Sequence, residues 1–364
     1  MVLLVGLMPF VADAAPADAP APPSNAPSGA SPIDAADAIE GGVLYLASVQ
    51  KDDGSWSLTD GGSPIGVTGY ALVALLDAGR KPGDGPQGAA VMRAVEFLTR
   101  SQRDDGNCFS PAPGRWPHTL YDHASATVAL ARAATITRDP ALKIRVNKAA
   151  NFIVSCQDSS GGWRYKPVAQ DPPDLPVSAA QICALCCARD AGADVPKSAM
   201  DGGVAYLLRC RDPQTGGFGY TPNGHNPGFA RTAVALCALE AVGSRPDDAV
   251  IKSGLDLLFQ SPGPREVEEQ GHWFAYGRYY AAQSANRAGD DTRARWAEHV
   301  RSEVLRQAHR DGAFIRWEDP RSVPPDPAYH TALNITILVL CDAVPGAKRQ
   351  AREAAAGAAR SGPK

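Results

Sequence analysis

Several Ala-, Leu- and Cys-rich stretches of this 364-residue chain open on polar or aromatic side chains. At those openings stand Asp122 and His123, Gln181, Arg231, Tyr276, Arg278, Tyr279, Tyr280, Tyr329 and His330, with Asn334 one turn deeper. Carboxylate, imidazole, phenol and guanidinium groups gathered at one place could move protons or hold an anionic or hydroxyl-rich ligand. In that reading Asp122 orients His123, whose ordinary pKa lies near neutrality, and Arg278 grips the ligand. His123 and His330 fall in nearly the same register of two repeats and are expected to meet one ligand. The competing reading is that these groups cap helices and tie down the loops before them. Residue types leave both open.

Other clusters carry less. Asp52-Asp53 and Asp104-Asp105 sit beside glycines in turns, where carboxylates bond local backbone. Asp171-Pro172-Pro173-Asp174 is a loop stiffened by proline, and Asp247-Asp248 is a bare pair. Cys183 and Cys186 have C-x-x-C spacing, but inside a helical pattern and without a second pair. No metal and no cofactor is expected. Most of the eight cysteines fall inside apolar helical runs, where cysteine packs as a small hydrophobe, so no disulfide framework is expected either.

The elements that must position these residues are repeats. Tyr45-Leu46-x-x-x-Gln50-x-x-x-Gly54-x-Trp56 is followed by Phe97-Leu98-x-x-x-Gln102-x-x-x-Gly106-x-x-Phe109, then by Phe152-Ile153-x-x-x-Gln157 with Gly161-Gly162-Trp163. Tyr206-Leu207 runs to Arg211 with Gly216-Gly217-Phe218. Two degenerate copies pair Leu257-Leu258 and Gln260 with Gly271-x-Trp273, and Val304-Leu305 and Gln307 with Gly312-x-Phe314. The spacing is about 50 residues, the mark of an array of supersecondary units. After each turn comes a run that is apolar nearly all round, at 67–78, 121–134, 177–191, 229–242, 274–288 and 329–343. Helices of that kind are buried on both sides. The preceding helices, such as 89–101 and 142–155, are amphipathic and read as an outer layer. The fold class is all-α: an α/α toroid of six helical hairpins with inner and outer helix rings. An open solenoid is the alternative.

The Tyr/Phe-Leu-x-x-x-Gln-x-x-x-Gly-x-Trp pattern resembles the repeat of squalene and oxidosqualene cyclases and of protein prenyltransferase β-subunits. With Tyr121-Asp122-His123, Gly161-Gly162-Trp163-Arg164-Tyr165 and Tyr279-Tyr280, the chain is similar to bacterial prenyltransferase/squalene oxidase repeat proteins. The resemblance implies the toroid and a central cavity for an extended isoprenoid or lipid-like ligand. It does not carry over the chemistry. The Asp-x-Asp-Asp acid of the cyclases has no counterpart here. Asp326-Pro-Ala-Tyr329-His330 resembles the zinc-bearing segment of the transferases, but the Asp and Cys of the preceding repeat are missing. Whether the protein is an enzyme is therefore open.

Composition sets the outer bounds. With 44% hydrophobic residues and a net charge of -3, the chain is neither disordered nor a nucleic-acid binder by charge. No apolar run is long enough to span a bilayer. Residues 1–14 combine an apolar run with Ala12-Asp13-Ala14, predicting a signal peptide and export, although no Lys or Arg precedes the run. A Pro/Ala-rich linker at 15–32, the toroid at 33–345 and a basic Ala-rich tail at 346–364 complete the expected organisation. Three function classes follow: a toroid for an isoprenoid or lipid-like ligand, a carbohydrate-active toroid, or a non-catalytic protein-interaction ring.

Overall fold

In the computed structural model the described residues are 33–57, 63–108, 119–167, 172–222, 227–245, 248–260, 273–314 and 327–342. The signal peptide, linker and tail expected at the two ends lie outside them. Twelve α-helices and no strand are found among the described residues. The odd-numbered ones are α1 (Ala35–Val49), α3 (Gly85–Ser101), α5 (Pro140–Ser155), α7 (Lys197–Arg209), α9 (Ala249–Gln260) and α11 (Asp290–Arg306). The even-numbered ones are α2 (Pro64–Asp77), α4 (Thr119–Thr137), α6 (Leu175–Asp190), α8 (Phe229–Val242), α10 (Trp273–Arg287) and α12 (Pro327–Cys341). None is long and apolar enough to cross a membrane.

Local chemistry sets the helix starts. Ser63 and Asp174 cap α2 and α6 with their side-chain oxygens, and proline enters within the first turn of both helices. The helices therefore begin slightly ahead of the apolar runs that announce them. Even-numbered helices form the inner ring: α2 packs on α4, α4 on α6, α6 on α8, α8 on α10, α10 on α12, and α12 back on α2. The outer helices straddle the seams, α3 against α2 and α4, α5 against α4 and α6, α11 against α10 and α12. Helix α1 crosses from its own hairpin to α12. The ring is closed, and the open solenoid is excluded.

One joint recurs at the outer turns. Gln50 Nε2 donates to the Gly54 carbonyl in its own turn and to the Ala90 carbonyl of the next outer helix. Gln102 bridges Gly106 and Arg145, and Gln157 bridges Gly161 and Ala199, in the same way. The glutamine thus ties neighbouring repeats together. Closure uses the joint's glycine: Gly312 has φ +86°, and a Cβ there would strike the carbonyl oxygen of Gly41 in α1. Only glycine admits both the left-handed backbone and that close approach.

The turn aromatics are buried between the rings. Trp56 Nε1 donates to Leu46 O at 2.9 Å and Trp163 Nε1 to Ile153 O at 2.8 Å, each to the outer helix just before it. Each ring removes on the order of 200 Å² from water, worth about 5 kcal/mol before entropy. Their backbone amides donate to a hydroxyl on the next inner helix: Trp56 to Thr68, Trp163 to Ser178, Phe218 to Thr232 and Phe314 to Thr331. That hydroxyl fixes the rotation of each inner helix, and so decides which side chains face the ring axis.

Candidate functional site

In the second repeat the contact between the turn and the inner helix is inverted. The residue two after Gly106 is Cys108, not an aromatic, and its amide donates to His123 Nδ1 at 3.0 Å. His123 Nε2 donates in turn to Ala149 O of α5 at 3.1 Å, and the ring lies edge-on to Phe152. A small turn residue facing a large inner-helix residue replaces the large–small order of the other repeats. Burial pushes the His123 pKa down to about 4, opposed by its bond to Ala149. His123 is thus a neutral wedge between the two rings. It points away from the axis, which corrects its expected place on a shared ligand.

Registers relative to that position sort the remaining candidates. His330 precedes Thr331 by one residue, so it matches Asp122, not His123; a one-residue step turns a helix by about 100°. His330 is buried with its ring edge-on to Tyr329. Arg278 pairs with Glu303 of the outer helix α11, and Asn334 Nδ2 donates to Gln307 at the end of that helix. Gln181 is buried and donates to Leu120 O, fastening α6 to the first turn of α4. His123, Arg278 and Asn334 face the outer ring, against the expectation that they share the cavity.

Tyrosines occupy the axis instead. Tyr121, Tyr276 and Tyr329 each lie two residues before the register position of their helix, taken as Arg278 in α10, and Tyr70 and Tyr280 lie two after it. Tyr70 meets Tyr279 and Tyr329 edge-on with centroids 5.5 and 5.4 Å away, and Tyr276 packs on Tyr280 at 4.7 Å. Burial raises the pKa of all these phenols, so each remains a neutral hydrogen-bonding group. The cavity between Tyr70, Tyr121, Tyr279, Tyr280 and the small side chains of α4 leaves about 20 Å³ for the centre of a water molecule. A site of that size holds about one water. At this level of the axis the described residues leave little of the central cavity that the resemblance implies.

Toward the N-terminal ends of the inner helices the tyrosines meet two carboxyls. Asp122 is partly exposed and accepts from Ser63 and the Gly66 amide; burial raises its pKa to about 6. Asp174 is fully buried, and burial likewise lifts it to about 6 against the pull of Val177 N–H and Arg164. Arg164 Nη1 lies 3.0 Å from Asp174 and stacks on the rings of Tyr165 and Tyr220. Tyr165 and Tyr220 share a hydroxyl–hydroxyl bond of 2.5 Å, and Tyr220 also donates to Asp174 at 3.2 Å. Arg231 begins α8, where burial lowers its pKa and the Tyr220 phenol opposes this. Arg164, Tyr165, Tyr220 and Arg231 all keep partial solvent access. Sequence reasoning passed over Arg164, Tyr165, Asp174 and Tyr220 as a binding group. The available signal was an aromatic two residues past the turn aromatic in successive repeats, Tyr165 and Tyr220.

No group of three or more His, Cys, Asp or Glu able to hold a metal is found among the described residues. Two family models match in succession: the squalene-hopene cyclase C-terminal domain over residues 63–231 and the prenyltransferase α/α toroid domain over residues 198–354. Among solved structures, a protein from Actinoplanes is 18% identical with a TM-score of 0.57, covering 85% of this chain and 99% of that one. A type II terpene cyclase from Scytonema, bound to geranylgeranyl dihydroxybenzoate, is 14% identical with a TM-score of 0.59 over 84% of this chain and 97% of that one. An α-1,6-mannanase from Salegentibacter, bound to α-1,6-mannotriose, is 12% identical with a TM-score of 0.63 over 85% and 99%. At these identities the likeness is one of fold.

Proposed function

From the premise that this chain is an α/α toroid built of squalene-cyclase and prenyltransferase repeats, we propose that it binds a hydroxyl-rich ligand of the carbohydrate class. The ligand sits at the N-terminal mouth of the inner ring. The observation that carries this is the partly exposed Arg164–Tyr165–Tyr220 group gathered on the Asp174 carboxyl of pKa about 6, with Asp122, also at about 6, at the start of the neighbouring inner helix α4. Tyrosine rings offer flat faces to sugar carbons, and phenol, carboxyl and guanidinium groups answer hydroxyls. Carboxyls that protonate near pH 6 can also give a proton to a ligand oxygen. Of the residues singled out in the sequence, Asp122, Arg231, Tyr276, Tyr279, Tyr280 and Tyr329 belong to this reading. Export, predicted from residues 1–14, would suit a glycan ligand.

An extended isoprenoid, the kind of molecule held by the Scytonema enzyme, is disfavoured by the tyrosine-filled axis, since ligand pockets are typically about 300–1,000 Å³. Calorimetric titration with α-1,6-mannotriose and a panel of neutral and acidic oligosaccharides tests the proposal, with a C20 prenyl alcohol run alongside. Saturable binding of one oligosaccharide, weakened at least tenfold by Asp122→Asn or Tyr220→Phe, is the expected result. Saturable binding of the prenyl alcohol with silence across the sugars would replace this reading by the isoprenoid one. Silence from every probe would leave the interaction ring.

A further inference from the structure

Beyond the mouth, the inner helices bring together a second reactive group. Cys183 of α6 and Cys237 of α8 each lie five residues past the register position of their helices, Ser178 and Thr232. Helices α6 and α8 pack directly, and the two sulfurs stand 3.9 Å apart. Arg287 of α10 reaches Cys237 Sγ with Nη1 at 2.9 Å. A cation that close to a sulfur, with a second thiol donating to it, is an arrangement that supports a thiolate. The Glu240 carboxyl, one turn on from Cys237, and Ser284 Oγ are buried without an aligned hydrogen bond. Arg287 is exposed as a residue, while the two sulfurs it adjoins are buried.

We propose that Cys183 and Cys237 are a peroxide-reactive dithiol, with Cys237 as the nucleophile and Cys183 as the resolving thiol. Glu240 first takes the Cys237 thiol proton; Cys237 Sγ then attacks one oxygen of hydrogen peroxide, the S–O bond forms, the O–O bond breaks, and the leaving hydroxide takes that proton back from Glu240 to become water. Cys183 then gives up its proton to Glu240, and its sulfur attacks Cys237 Sγ. The S–O bond breaks, and the departing hydroxide collects that proton as a second water. Two thiols are oxidised to one disulfide while one peroxide is reduced to two waters. The sulfurs must approach by about 2 Å to reach a bond of about 2.05 Å.

The surroundings single out Cys237. The hydrogen bond from Cys183 and the charge of Arg287 hold its pKa below the ordinary thiol value against its burial. Burial pushes Cys108, Cys156, Cys186, Cys187, Cys210 and Cys341 up, and Cys183 rises as the donor of that bond. Other charged or titratable groups nearby include Arg132 beside Cys187 and Tyr279, Arg189 beside Cys186, Asp190 beside Cys186 and Cys187, Tyr279 beside Cys237, and Tyr70, Tyr276 and Tyr280 beside Cys183.

The full chain, reduced and then exposed to stoichiometric hydrogen peroxide, should lose two of its eight thiols. Peptide mass spectrometry should find a Cys183–Cys237 cross-link that a dithiol reductant reverses. Cys183→Ser should stop the reaction at a sulfenic acid on Cys237 that dimedone labels. Arg287→Met should slow the first step by about threefold to thirtyfold at pH 7, the lower figure allowing for the weaker nucleophilicity of a low-pKa thiolate. Circular dichroism melts establish that each variant folds. Thiol loss spread over other cysteines, or a cross-link that forms equally fast without Arg287, would overturn the assignment.

Discussion

Closure of the ring can be tested at one atom pair. Gly312 and Gly79 have nearly the same backbone, φ +86° and +82°, but a Cβ on Gly312 would strike the Gly41 carbonyl of α1, whereas one on Gly79 would meet nothing within 4 Å. Gly79→Ala therefore carries only the left-handed backbone penalty, about 1 kcal/mol after the loss of unfolded-state freedom is credited. Gly312→Ala adds a clash with main chain that no rotamer can relieve, about 1–3 kcal/mol more. With an unfolding entropy of about 2.1 cal/mol/K per residue over the roughly 260 described residues, each kcal/mol moves Tm by about 1.8 °C. Gly79→Ala should lower Tm by about 2 °C and Gly312→Ala by about 4–7 °C, read by calorimetry under identical conditions. Equal shifts would mean that α1 is not seated on the last turn, and the closed ring would fall with that contact.

His123→Ala should behave as a core lesion, not as the loss of a ligand contact. It strands the Cys108 amide, removes the second bond on the Ala149 carbonyl and empties the space beside Phe152, costing about 3–5 kcal/mol in a denaturant titration. The stability that His123 contributes should be lost as pH falls from about 6.5 through 4, so the gap between wild type and His123→Ala should narrow across that window. The folded His123 pKa is depressed to about 4, so the unfolded chain binds the extra proton in that window. Glu240 has the opposite sign: burial raises its pKa to about 8, so the native state holds a proton the unfolded chain releases, and stability declines as pH rises from about 4.5 to 8. Glu240→Gln should flatten that decline and stabilise the protein by up to about 3 kcal/mol at pH 7, measured by melts across the pH range.

Periodicity was enough to read the architecture. Apolar runs without a polar face mark inner helices, amphipathic runs mark outer ones, and a glycine–aromatic turn at each repeat marks where the chain passes from one ring to the other. Closure was an expectation until α1 and α2 were found against α12. The direction of each mouth residue was not legible, because a one-residue offset turns a helical side chain by about 100°. Loops of unequal length before each inner helix hide that offset. His123 falls in nearly the register of His330 in the sequence but in that of Thr68, Ser178, Thr232 and Thr331 in space, and Cys108, standing where other repeats have an aromatic, was the clue. The packed axis, the Asp174–Arg164–Tyr220 group and the Cys183–Cys237 pair likewise depend on contacts between different repeats. Such contacts are decided by how six helices share one small circumference, and no local pattern of residues encodes that distance.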